Sequence, residues 1–384
     1  MSNVFGKLSE LRYLELNNNN SSGQVPSFLS NMSVEFLDLS FNELEGNLPI
    51  PFFGAEFFSV SNNKFKGDIS FLFCNASSLE ILNLSHNNLS GPIPQCLVAL
   101  PNLSVLDLQM NNFSGTLPNN FSKSNVLQTL HFNSNRFKGS LPMSLELQVL
   151  VLRDNRFYGA IPSSNTKNPF PKLRIFDISN NHFNGSLPTT YIKELKGMMK
   201  IDSIEVGAQY MGNKNYSIYK DSVVITWKGY TIELERILTI FTTIDLSSNK
   251  FDGEIPIAIG ELHALIGLNL SHNRITGSIP KSMGNLTSLE WLDLSCNKIV
   301  GEIPQELTNL NFLAVLNLSQ NQLEGNIPRG KQFDTFQSDS YEGNVGLCGV
   351  PLSKTCNIKD GSSSTFESHE KFGFDWKPVA LGYG

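Results

Sequence analysis

Four aspartates carry the side chains best suited to acid–base chemistry in this sequence: Asp38, Asp177, Asp245 and Asp293, each opening an Asp-Leu-Ser or Asp-Ile-Ser triplet. A hydrolase would need a second carboxylate roughly 5 to 9 Å away, or a nucleophile with a base. The triplets follow the period of a repeat, so we expect solvated strand residues. The six histidines form no zinc-binding His-Glu-x-x-His motif, and no phosphate-binding glycine loop follows a strand. We therefore predict no enzyme, metal site or cofactor.

Composition excludes further classes of protein. Charged residues make up 17% of the 384 residues and hydrophobic residues 40%, so the chain has enough apolar side chains for a large core. The net charge of −6 disfavours binding to nucleic acid. The sequence has no run of eighteen apolar residues, so we predict no membrane span. It has no apolar segment near its start, so we predict no secretion signal.

The elements that position these side chains are repeats of the pattern LxxLxLxxN. About twelve copies follow one another with a step of roughly 24 residues. We call the last residue of each pattern a ladder asparagine: Asn19, Asn42, Asn63, Asn87, Asn111, Asn135, Asn155, Asn181, Asn249, Asn273, Asn297 and Asn321. Stacked turns of this kind predict a parallel sheet roughly 55 to 60 Å long, because neighbouring strands lie about 4.8 Å apart.

One repeat illustrates the expected geometry. Side chains alternate along a strand, so Leu106 and Leu108 should enter the core while Asp107 and Gln109 face solvent. Asn111 lies at the following bend, where its amide can bond backbone groups that the turn leaves unpaired. A glycine and often a proline come next, and a recurrent phenylalanine is expected in the core: Phe113, Phe137, Phe157, Phe183 and Phe251.

Residues 289–304, LEWLDLSCNKIVGEIP, resemble the plant-specific extracellular subtype of leucine-rich repeats. That resemblance implies an α/β solenoid: a right-handed leucine-rich-repeat superhelix with a parallel concave sheet, a non-repeat island and a C-terminal cap. The expected divisions are about eight repeats in 1–188, the island in 189–240, four repeats in 241–328, the cap in 329–357, and a disordered juxtamembrane tail in 358–384.

An island followed by four repeats resembles the plant receptor-like proteins, which include the Cf-type disease-resistance receptors. Tyr219 followed after eight residues by Lys228-Gly229 matches a motif of these proteins. The segments Ser340 to Gly349 and Phe374 to Lys377 resemble their cap and the lead-in to their transmembrane helix.

The resemblance implies the ligand-binding ectodomain of a kinase-less plasma-membrane receptor, used in defence or development. The ligand would be an extracellular peptide, protein or glycan, and co-receptor kinases with leucine-rich-repeat ectodomains would transmit the signal. Because the chain starts inside a repeat and stops before any apolar helix, we expect a fragment. Alternatives are a secreted protein resembling the polygalacturonase inhibitors, or the ectodomain of a receptor kinase.

The cysteines and sequons indicate a secretory route. Cys348 and Cys356 fit a short disulfide of the cap, and Cys74 and Cys96 lie on successive turns, where a bridge is favoured over two buried thiols. Cys296 is expected to be a free thiol. Many Asn-x-Ser/Thr sequons occur, and those on the far side of the turn are the better glycan acceptors: Asn75, Asn120 and Asn285.

Three consecutive turns depart from the usual Asp or Asn and Ser on the strand face. They are predicted to bind the ligand through Asp107, Gln109 and Met110, then His131, Asn133 and Ser134, then Val151, Arg153 and Asp154. Simple drift at exposed positions is the alternative explanation.

The island offers a second surface for a partner. Val223 to Trp227 is rich enough in β-branched and aromatic residues to predict a strand. Tyr219, Trp227, Lys228 and Gly229 are the island residues that, by resemblance, would meet the co-receptor. The aromatic side chains could equally serve to pack the island onto the solenoid.

Overall fold

A twelve-stranded parallel sheet, called here the long sheet, runs through the whole solenoid. The structure is a computed structural model that describes residues 10–27, 29, 32–118, 126–141, 147–161, 170–200, 210–211, 222–227 and 230–356. Each repeat contributes one three-residue strand: Tyr13–Glu15, Phe36–Asp38, Phe57–Ser59, Ile81–Asn83, Val105–Asp107, Thr129–His131, Val149–Val151, Ile175–Asp177, Thr243–Asp245, Gly267–Asn269, Trp291–Asp293 and Val315–Asn317. The predicted solenoid of twelve turns is confirmed.

A second parallel sheet of nine strands follows the first nine ladder asparagines, on the other side of the turns. Its strands are Ser22–Gln24, Glu43–Gly46, Lys64–Gly67, Asn88–Gly91, Asn112–Thr116, Arg136–Gly139, Arg156–Ala160, His182–Ser186 and Lys250–Asp252. A three-stranded sheet of Val300–Glu302, Gln322–Asn326 and Gly346–Cys348 lies in the last repeats and the cap. The repeated glycine bends the chain here with a positive φ, for example +92° at Gly115.

Short helices complete many of the turns. Most are 3₁₀ helices: Phe71–Asn75, Leu97–Ala99, Ile257–Glu261, Lys281–Asn285, Gln305–Asn309, Lys331–Thr335 and Ser338–Tyr341. Two α-helices of one turn each, Thr189–Ile192 and Lys196–Met199, close the eighth repeat. Leu195 and Met198, which lie within the stretch 189–240 expected to form the island, are buried in the main core.

One continuous core fills the solenoid, because the leucines of successive strands lie beside each other. Leu106 pairs in register with Leu130, and Leu268 with Leu292, and all four are fully buried. The recurrent phenylalanines form a second row whose rings stack at centroid distances of 6.0 to 6.5 Å: Phe113, Phe137, Phe157, Phe183 and Phe251. Their predicted core position is confirmed.

The ladder asparagines connect successive turns through backbone bonds. Asn111 donates from Nδ2 to the carbonyl oxygen of Leu84 in the preceding turn at 2.9 Å and to that of Gln109 at 3.1 Å. Its Oδ1 accepts from the Leu89 amide at 3.0 Å. The residue just before each ladder asparagine adopts a left-handed conformation, as at Met110 with φ +53°.

The cap continues this pattern where the leucine repeat stops. Asn344 donates to the Leu318 carbonyl at 2.9 Å and accepts from the Leu323 amide at 3.0 Å, as a ladder asparagine would. Tyr341 is fully buried at the position of a repeat leucine. Sequence reasoning missed this extra turn because tyrosine replaces leucine there.

Both predicted disulfides are present. Cys74 and Cys96 join two successive turns with Cα atoms 5.7 Å apart, and Cys348 and Cys356 close the cap with Cα atoms 5.1 Å apart. Cys296 is a free thiol, as expected.

Candidate functional site

The outer face of the long sheet, opposite the main core, carries two columns of side chains. The first column reads Tyr13, Phe36, Phe57, Ile81, Val105, Thr129, Val149, Ile175, Thr243, Gly267, Trp291 and Val315. The second reads Glu15, Asp38, Ser59, Asn83, Asp107, His131, Val151, Asp177, Asp245, Asn269, Asp293 and Asn317. The outer face is therefore mainly apolar along one column and mainly polar along the other.

The structure brings the nine predicted ligand-binding residues together on three neighbouring turns, but it corrects their exposure. Four of them are buried rather than exposed: Asp107, His131, Asn133 and Val151. Neighbours in the same column shield one another, because adjacent strands lie only about 4.8 Å apart. Val151 also belongs to an apolar cluster that includes island residues.

Some predicted residues do remain accessible at the edge of the outer face. Met110 is 45% exposed, and Gln109, Ser134, Arg153 and Asp154 are half-buried. A ligand could reach these side chains without any rearrangement.

A hydrogen-bonded chain links the buried polar side chains of two of these turns. Gln109 Nε2 donates to Asp107 Oδ2 at 3.1 Å, and Asn133 Nδ2 donates to Gln109 Oε1 at 3.1 Å. Asn133 Oδ1 and His131 Nε2, both buried, find no hydrogen-bond partner in the part of the chain that the structure describes. Buried polar atoms of this kind are rare, so the pair marks a place where a ligand group could bond.

The ionic state of His131 follows from its burial. Loss of hydration lowers the pKa of the His131 imidazole to about 4, so the ring is neutral at neutral pH. A neutral imidazole and an amide oxygen favour a neutral hydrogen-bonding group of a ligand over an anion.

Charged groups lie on the next turn. Arg153 Nε lies 3.4 Å from Asp154 Oδ2, and Ser134 Oγ donates to the same oxygen at 3.4 Å. Asn180 Nδ2 donates to the other oxygen of Asp154. These contacts hold an arginine and a carboxylate side by side, beside the buried His131 and Asn133 pair.

The island folds back onto the outer face as an antiparallel hairpin of Val223–Trp227 and Tyr230–Leu234. This island hairpin confirms the predicted strand. Val223 and Ile225 pack in one cluster with Ile175 and Trp291 of the first column. Trp291 has room because Gly267 lies beside it: a Cβ on Gly267 would fall 1.8 Å from the Trp291 ring.

Two aspartates lie beneath the hairpin on adjacent strands. Val223, Ile225 and Trp291 line the same small cavity as Asp177 and Asp245. Burial and, to a lesser extent, the neighbouring Asp245 carboxylate raise the pKa of Asp177 to about 7, although hydrogen bonds from Ser179 and the Arg153 charge act to lower it. Burial also raises the pKa of Asp245. The expectation of solvated carboxylates is wrong for Asp177 and Asp245, which lie beneath the island, and also for Asp38, which is buried in the column away from the island cavity.

The predicted island contacts are only partly described. Tyr219, Lys228 and Gly229 lie outside the described residues. Trp227 pairs with Tyr230 in the hairpin.

Two predicted glycan acceptors, Asn75 and Asn285, are exposed at the ends of 3₁₀ helices, while Asn120 lies outside the described residues. Asn269, a strand sequon, is buried and donates to Asp245. No helix in the described ranges has the length and apolar character to cross a membrane. The described residues also contain no cluster of three metal-ligating side chains.

The fold and its asparagine ladder define a leucine-rich-repeat protein. Sequence models described as leucine-rich repeat match residues 10–32, 33–55, 58–113, 172–192 and 241–299. More narrowly, the chain is similar to receptor-like proteins of Arabidopsis thaliana.

Two of these relatives illustrate the match. Receptor-like protein 34 is 55% identical across 62% of this chain and 25% of its own length. Receptor like protein 27 is 42% identical across 99% of this chain and 54% of its own length. The chain thus spans between a quarter and about half of these relatives.

Solved structures of plant receptors share the fold. The TDR receptor aligns with a TM-score of 0.69 and 26% identity, over 85% of this chain and 50% of its own. The Arabidopsis receptor kinase HAESA ectodomain, solved with an IDA peptide hormone ligand, aligns with a TM-score of 0.58 and 28% identity, over 92% of this chain and 64% of its own.

Proposed function

We propose that this chain is part of the extracellular ligand-binding region of a kinase-less plant receptor, and that it binds a peptide on the outer face of the long sheet. The observation that carries the proposal is the pair of unpartnered buried atoms, His131 Nε2 and Asn133 Oδ1, beside the Arg153 and Asp154 charges. Backbone and side-chain amides of an extended peptide could supply the missing hydrogen bonds.

The relatives support a receptor role, and the HAESA ectodomain, which is similar to this chain, binds a peptide hormone. We further propose that co-receptor kinases transmit the signal, with the island at their interface. Support for that part comes from the Tyr219 and Lys228-Gly229 motif of the sequence.

A selection from a random peptide library displayed on phage tests the binding site. The selected peptide is titrated by calorimetry into the 384-residue chain and its variants. Arg153→Ala and His131→Ala should each weaken binding about tenfold or more, which corresponds to about 1.4 kcal/mol. Arg136→Ala is the matched control, because Arg136 is exposed on the second sheet.

If Arg153→Ala and Arg136→Ala lost the same amount of peptide affinity, the peptide would not bind on the outer face. If selection enriched no peptide at all, the peptide-receptor proposal would be rejected for this region. Circular dichroism of each variant separates lost binding from lost folding.

A further inference from the structure

The island hairpin covers two carboxyl groups with apolar side chains. Asp177 and Asp245 are paired in register on adjacent strands, and Val223 and Ile225 line the cavity above them. Two ionised carboxylates beneath an apolar cover repel each other and lack water, so full ionisation disfavours the covered state.

Groups of the sheet compensate only part of the unfavourable free energy of burying two ionised carboxylates. The described groups of the sheet that act on the pair are the Arg153 guanidinium and three hydrogen-bond donors, Ser179, Ser247 and Asn269. Arg153 also contacts Asp154, so its positive charge is divided between carboxylates. One cation near three carboxylates does not neutralise them.

The hairpin adds no described charge that would compensate the pair. Its residues in the cavity are Val223 and Ile225. The described charged side chains of the hairpin and the segment after it, Glu233, Glu235 and Arg236, are exposed. Seating of the hairpin therefore depends on the protonation of the carboxyls beneath it.

We propose that the Asp177 and Asp245 carboxyls form a pH-sensitive latch, which holds the island hairpin on the long sheet in mildly acidic medium and releases it as the pair loses a proton. Release would uncover Val151, Ile175 and Trp291, of which Val151 lies on the turns proposed to bind peptide. The latch works whatever the ligand is, so it can fail without affecting the peptide-binding proposal.

The sign follows from proton linkage. With the hairpin seated, burial raises the pKa of Asp177 to about 7, whereas a solvated aspartate titrates at about 3.9. Between these values the covered state holds a proton that the open state lacks. The covered state therefore has its full stability below about pH 3.9. Between about pH 3.9 and pH 7 the ratio of covered to open molecules falls by up to about tenfold per pH unit, and above pH 7 this ratio levels off.

Fluorescence of Trp291 can report the latch, because this ring packs against the hairpin. The 384-residue chain contains three tryptophans, so Trp227→Phe and Trp376→Phe leave Trp291 alone. Quenching by acrylamide, which is neutral, is measured from pH 5 to pH 8. The Trp291 quenching constant should rise at least twofold over this range while the circular dichroism of the repeats stays constant.

Two further variants assign the effect to the carboxyls. Asp177→Asn with Asp245→Asn should make the quenching constant low and independent of pH; asparagine occupies the same column at Asn83 and Asn317, so the sheet accommodates it. Asp38→Asn, in the same column beyond the cavity, should keep the wild-type pH dependence.

The latch is overturned if Trp291 quenching does not change between pH 5 and pH 8, whether the ring is shielded or exposed throughout. It is also overturned if the Asp177→Asn and Asp245→Asn protein keeps the same pH dependence. A parallel loss of repeat circular dichroism would mean that the solenoid unfolds instead, which likewise contradicts the proposal.

Discussion

At the scale of single residues, the ladder asparagines contribute to the stability of the solenoid through several hydrogen bonds each. Asn297 is buried and donates to the carbonyls of Leu270, Leu294 and Ser295 at 2.9 to 3.1 Å, while its Oδ1 accepts from the Ile275 amide at 3.0 Å. No water can replace these bonds without opening the turn. Each ladder asparagine thus stabilises both its own turn and the preceding one.

We predict that Asn297→Ala lowers the free energy of unfolding by about 2 to 3 kcal/mol, because it leaves buried backbone groups unpaired. Urea unfolding followed by circular dichroism measures the loss. Asn309→Ala is the control, since Asn309 is exposed in the 3₁₀ helix that completes the same turn, and it should cost less than about 0.5 kcal/mol. Similar losses for both variants would show that the ladder bonds contribute little.

At the scale of elements, the island hairpin packs on apolar side chains of the sheet, among them Trp291, which lies beside Gly267. Trp291 packs with the hairpin residues and lies over Gly267, at a position where the other strands of the first column carry a side chain. The described residues of the island thus join the solenoid through an apolar contact.

We predict that Gly267→Ala displaces the Trp291 ring and loosens the hairpin, because the new Cβ would overlap the ring. In the chain with Trp291 as its only tryptophan, the emission maximum should shift to the red and acrylamide quenching should rise. The repeats should keep their circular dichroism.

A double-mutant cycle provides the control. In a Trp291→Ala background the overlap is absent, so Gly267→Ala should change the free energy of unfolding by less than about 0.5 kcal/mol. If Gly267→Ala changed the free energy of unfolding equally with Trp291 and with Ala at position 291, the two residues would not be coupled.

At the scale of the whole molecule, each turn is stabilised by the turns on either side of it, because each turn contacts mainly its neighbours. The cap ends this series: the amides of Leu318 and Gln320 donate to the carbonyls of Ser340 and Glu342. Tyr341 and Phe333 bury their rings against the last repeat. Without these contacts the end of the core would be open to water.

We predict that a chain ending at Pro328 loses hydrogen-exchange protection at Leu318 and Gln320, while Leu106 in a distant repeat keeps it. Mass spectrometry with peptide-level resolution measures both regions in the same sample. Retained protection at Leu318 would show that the cap is dispensable. Loss of protection at Leu106 would show that unfolding is global rather than local.

Sequence reasoning predicted the solenoid, the ladder, the strand of the island and both disulfides. These features depend on local, repeated patterns: Leu106 and Leu130 must be buried together because they recur one turn apart, and Cys74 and Cys96 occupy adjacent turns for the same reason. Stacking turns such patterns directly into three-dimensional neighbours. The fold of a repeat protein is therefore unusually easy to predict from its sequence.

Only the tertiary structure decided which face of the sheet is covered and by what. The island packs on strands that precede and follow it in the chain, and it covers Asp177 and Asp245, which the sequence alone placed in solvent. The burial of His131 likewise depends on its neighbours in the column. Local patterns carry no information about such long-range packing, because Val223 and Ile225 would suit any apolar surface.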